Sequence, residues 1–143
     1  MTITITALSA DLASPADRDF LDEEGGFPLR CCLRDSRPGD HVALVRVSPP
    51  GPQGAYAEAG PVFLHADGCA GPASPDYPAD FQARDQVMRT YNHDGTIRGG
   101  EVAPAGTDHT AVATRLLADP AVAFIHTRNI VHGCYMLTIS RWT

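Results

Sequence analysis

Residues 86–102, QVMRTYNHDGTIRGGEV, restrict the fold more than any other stretch of this chain. Two strand-like runs flank Asp94-Gly95, a pair that suits a tight hairpin turn because both residues can take positive φ. A chain built around this element must carry antiparallel sheet, and the remaining sequence supplies the neighbours. TITITA (2–7) alternates with period two, turning Ile3 and Ile5 inward. HVALVRVS (41–48) reads as a strand stopped by PPGPQG, and PVFLHA (61–66) as a strand that runs into a loop rich in proline and glycine. GTDHTAVATRLLADP carries a helix capped by Thr107 or Asp108, with Val112, Leu116 and Leu117 on its buried face and Pro120 beyond its end. AVAFIHTRN and CYMLTISRW close the chain as two strands around a turn at His132-Gly133. Residues 9–40 read as a loop with a short helix near SPADRDFLDEE, Ser14 its N-cap and Pro15 its first residue. The expected fold is therefore α+β, a single domain over 1–143. It has six or seven strands, mainly one antiparallel sheet with one or two helices packed on one face.

Composition narrows the function. A chain of 143 residues buries a core without cross-links. Its net charge of −6 and the lack of any basic run argue against nucleic acid or an anionic membrane surface as partner. All 11 basic residues are arginine, which excludes a lysine Schiff base, a lysine nucleophile and a lysine-based phosphate loop. The N-terminal segment lacks the basic region and apolar run of a signal peptide, and no segment approaches the roughly 20 apolar residues of a membrane span. The expected location is the cytoplasm, with the four cysteines reduced unless they bind metal or take part in a reaction.

Two constellations could carry chemistry. The first joins Cys31 or Cys32, in FPLRCCLRD, to His65 and Cys69, which lie four apart across a turn in HADGC. Thiolate and imidazole are zinc's preferred ligands, but adjacent cysteines in extended backbone point apart, so reduced, partly buried thiols are the competing reading. A vicinal disulfide is not expected in a reducing compartment. The second constellation is IHTRNIVHGC. In a strand His126 and Arg128 share a face, with Asn129 and His132 at its end, which offers a proton-transfer group, an anion clamp and an orienting amide. Glu58, in a Gly/Pro-rich loop, is the candidate partner carboxylate. Cys134 would need His126 or His132 as a base to act as a nucleophile. No P-loop, dinucleotide fingerprint, G-x-S-x-G, HExxH or EF-hand pattern occurs.

The strings LRCCLRD, GAYAEAGPVFLHADGC, VMRTYNHDGTIRGG, LLADPAVAFIHTRN and GCYMLTISR, in this order, resemble the bacterial proteins grouped as domain of unknown function 1203, from about Phe27 to Arg141. The resemblance brings no activity. It implies a C-R-x-C-L pattern in which Cys32 matches the second cysteine and Leu29 stands at the first, and an H-x3-C pair matched by His65 and Cys69. Together these imply a Cys3His zinc set from which this chain departs at one ligand, with Cys31 as the substitute. The resemblance also covers Arg30, Tyr56, Glu58, Tyr91, His126, Arg128 and Asn129.

Two functions follow as expectations. One is a protein that binds or acts on a small anionic molecule, with Arg30, Tyr56, Arg128 and Asn129 as ligand-binding residues and His126 and Glu58 as acid–base groups. The other is a non-catalytic interaction module stiffened by zinc on Cys31, Cys32, His65 and Cys69. The sequence specifies neither an enzyme class nor an oligomeric state.

Overall fold

The computed structural model describes residues 2–142. Among the described residues, ten strands run in the order β1 (Ile3–Thr6), β2 (Arg18–Leu21), β3 (Pro28–Leu29), β4 (Arg34–Asp35), β5 (His41–Val47), β6 (Gly60–His65), β7 (Gln86–Tyr91), β8 (Ile97–Ala103), β9 (Phe124–Asn129) and β10 (Tyr135–Arg141). A single-turn helix α1 (Ala79–Gln82) precedes β7, and the nine-residue α2 (His109–Leu117) joins β8 to β9. The strands form two five-stranded sheets, ordered β1-β10-β9-β7-β8 and β2-β5-β6-β3-β4. Among the described residues, no helix is long and apolar enough to cross a membrane.

This architecture overturns the expectation of mainly one sheet carrying one or two helices. Strand residues make up 36% of the chain and helical residues 14%, so the protein is mostly β with one substantial helix. The error lies in residues 9–40. Ser14 and Pro15 do not open a helix; Ser9 instead caps a 3-10 turn at Ala10–Ala13. Residues 18–21 pair antiparallel with β5, because the exposed edge of β5 offers hydrogen-bond partners that local propensity does not reveal. The two-residue strands β3 and β4 complete that sheet, β3 running parallel to β6.

The first sheet has two distinct faces. Met88, Ile125, Leu137 and Ile139 join Ala113 and Leu117 of α2 and Phe81 of α1 in one apolar cluster. Asp108 caps α2 by accepting from the Ala111 amide. On the opposite face Tyr91, Phe124, His126 and Tyr135 pack ring against ring. The second sheet builds its own cluster from Val42, Val45, Val62 and Leu64, together with Leu29 and Cys31. The β7–β8 connection is a three-residue turn, His93-Asp94-Gly95, in which Gly95 alone takes positive φ, at 84°. The ladder register shifts between Thr90 and Tyr91, just before the turn, so a bulge accompanies this turn in place of the tighter two-residue one.

Candidate metal centre

The turn between β3 and β4 decides what two adjacent cysteines can do. Arg30–Leu33 wind as a single helical turn, closed by the Leu33 amide donating to the Leu29 carbonyl at 2.9 Å. Adjacent side chains on such a turn diverge by about 100° and not by the half-turn of a strand, so both sulfurs can face one point. The expectation that they point apart assumed extended backbone, which this segment does not adopt. The turn ends at Leu33 with φ 59°, a left-handed conformation in a non-glycine residue. Leu33 holds it by burying its side chain in the apolar cluster of the first sheet, while Leu29 and Cys31 enter that of the second. Leu29, at the position where the resemblance placed a first cysteine, is fully buried.

His65 ends β6, and Cys69 follows in the loop. The ligand atoms of Cys31, Cys32, His65 and Cys69 all lie within 4.8 Å of one another. His65 Nδ1 is 3.6 Å from Cys31 Sγ and 3.7 Å from Cys32 Sγ. A tetrahedral zinc with bonds of about 2.3 Å to sulfur and 2.0–2.1 Å to nitrogen separates S and N ligands by about 3.6 Å. The donor set and the spacing therefore fit zinc. Backbone amides of His65 and Gly71 donate to Cys31 and Cys69 at 3.3 and 3.4 Å, placing positive dipoles beside the sulfurs. In the protein without metal, the Cys31–Cys32 hydrogen bond and burial raise the Cys31 pKa, whereas the same bond, with His65 and Arg34 nearby, lowers that of Cys32.

Behind the imidazole, Nε2 faces Arg34 Nη2 at 3.2 Å and Asp40 Oδ1 at 3.7 Å. Arg34 can only donate, so it holds Nε2 as an acceptor; ligation through Nδ1 puts the ring proton on Nε2 and requires Asp40, the farther of the two, to replace Arg34 as its partner. Arg34 and Asp40 escaped the sequence reading because no fixed spacing ties them to His65; the β3–β4 turn and the β5 entry bring them there.

The second constellation divides: Arg128, Glu58, His132 and Cys134 line one cleft, while His126 and Asn129 lie outside it. His126 and Arg128 do share a strand face, but His126 is fully buried among aromatic rings, with Nε2 donating to the Pro50 carbonyl at 3.0 Å. Desolvation pulls its pKa down to about 4, so it is neutral at physiological pH. Arg30 is spent on the backbone, donating to the carbonyls of Tyr135 at 2.8 Å and Pro28 at 2.6 Å, and so ties the two sheets together. Burial lowers its pKa to about 10. Asn129 accepts from Gln86 at 3.0 Å, and Tyr56 is exposed on a 3-10 turn. Glu58 forms an ion pair with Arg128, at a cleft that Cys134 and His132 also line. The Cys134 thiol faces the His132 carbonyl at 3.8 Å, an acceptor that cannot serve as a base.

A mostly β protein with a preformed Cys3His cluster is the class that fold and site define. The chain belongs to the family described as protein of unknown function (DUF1203), whose model matches residues 26–141. No curated protein and no solved structure matches it.

Proposed function

We propose that this protein is a non-catalytic binding module clipped by one zinc ion on Cys31, Cys32, His65 and Cys69. The observation that carries the reading is the convergence of four ligand atoms within 4.8 Å from two separate segments: the β3–β4 turn, and the end of β6 with the loop beyond it. Four protein ligands leave zinc no open position, which makes the role structural. The ion would supply cross-linking alone. It would anchor the loop from Ala66 to Pro78, which has no regular secondary structure, to the sheet edge.

Ligation by this set predicts that chelation of the purified protein lowers its thermal midpoint by several degrees, and that Cys69→Ala has a lower midpoint insensitive to chelator. Equal wild-type midpoints with and without chelator would overturn the clip, because structural zinc adds its binding energy to folding.

A further inference from the structure

The side chain of Arg128 is 8% exposed, that of its partner Glu58 40%. A guanidinium this desolvated requires a compensating anion. Its Nη1 donates to the Gly133 carbonyl at 2.9 Å. Nε and Nη2 together form the edge that grips a carboxylate through two parallel bonds, and of the two Nε has no partner. Glu58 approaches only Nη2, from a loop, and is shared with Arg89 Nη1 at 3.8 Å. The cation is fixed, its edge is incompletely used, and its counter-ion sits on an exposed connection.

Arg128 lines a cleft of about 200 Å³ between the two sheets, with Nε and Nη2 themselves buried beneath it while Glu58 is in place. Arg128, Glu58 and Gly133 form its polar end, and Val47, Pro61 and Val62 an apolar wall. At about 30 Å³ per water-sized group, the volume holds roughly six or seven heavy atoms. We propose that the cleft binds a small monocarboxylate with a short apolar body, and that Glu58 is the resident carboxylate which the ligand displaces. The ligand's two oxygens take Nε and Nη2 together, its hydrocarbon lies against Val62 and Pro61, and Glu58 swings toward Arg89 and solvent. No residue of the metal cluster takes part, so failure of either reading leaves the other standing.

The test titrates butyrate, 1-butanol and inorganic phosphate into wild-type protein and into Glu58→Gln, following backbone amides by NMR. Removing the competing carboxylate tightens butyrate binding about ten-fold or more, since the buried cation then has no other anion. The shifting amides cluster at Val62, Arg128 and Gly133, and 1-butanol produces no such pattern. Butyrate also raises the thermal midpoint of Glu58→Gln more than that of the wild type. This variant keeps Arg128 in place and does not depend on how well an Arg128 substitution folds. Glu58→Gln binding butyrate no more tightly than wild type, phosphate binding as tightly as butyrate, or shifts outside the cleft would each overturn the proposal.

Discussion

Leu33 sets packing against backbone strain at the turn that gathers the cysteines. It is 5% exposed and sits at φ 59°. The left-handed conformation costs an L-residue about 1–2 kcal/mol, and only glycine escapes that cost. Truncating a buried leucine to alanine costs about 2–5 kcal/mol. Leu33→Ala loses the packing and keeps the strain, so it should lie about 3 kcal/mol below wild type. Leu33→Gly loses the same packing and recovers about 1 kcal/mol, which leaves it about 2 kcal/mol below wild type. Urea unfolding separates the three proteins: with m of about 1–3 kcal/mol/M, midpoints fall by about 1 M or more for alanine and by less for glycine. The predicted order is wild type, glycine, alanine. A glycine variant as stable as wild type would refute the claim that Leu33 packing holds the turn. An alanine variant above glycine would refute the backbone strain.

Further predictions concern the surrounding fold. His126 titrates at about 4 in the folded protein against about 6.5 unfolded. The unfolded chain takes up that proton first, so stability is full above pH 6.5 and falls by roughly 3 kcal/mol towards pH 4. His126→Gln should flatten this acid limb in urea midpoints measured across pH, and an unchanged limb would contradict it. His41 runs the other way: hydrogen bonds to Asp67 and Asp19 raise its pKa, so its contribution is full below the unfolded pKa and lost as pH rises through the folded one. His41→Gln should remove that alkaline decline. Gly51→Ala would set a Cβ 2.4 Å from Phe124 Cζ at a backbone φ of 113°. It should cost about 1–3 kcal/mol, and an unshifted thermal midpoint would contradict this packing of the β5–β6 loop.

The long strands were legible because alternation and breakers act locally. β5, β6, β9 and β10 fall where TITITA-like patterning and Gly/Pro punctuation place strands, and Asp108 caps α2 with its own side chain. β2, β3 and β4 were not legible, since a two-residue strand or RDFL at 18–21 becomes a strand only beside a partner whose location is tertiary. The second sheet, and with it the fold class, was lost there.

The candidate site divides along the same line. His65 and Cys69 sit near one another by spacing alone, whereas the role of Cys31 depended on whether its backbone was extended or turned, and CC does not specify that. The turn is set by Leu29 and Leu33 entering different apolar clusters. The shared face of His126 and Arg128 followed from period two, but its surroundings did not. Aromatic rings from three strands and the Pro50 carbonyl enclose His126, and Glu58 reaches Arg128 from a distant loop.

The zinc clip is tested most directly by metal content and thiol reactivity on the same sample, from protein purified without chelator or affinity metal. A working clip gives about one zinc per chain by mass spectrometry. Of the four cysteines, Cys134 alone should react in the native protein, with Cys31, Cys32 and Cys69 following only after chelation. Metal-free protein whose Cys32 and Cys69 react as readily as Cys134 before any chelator is added would contradict it.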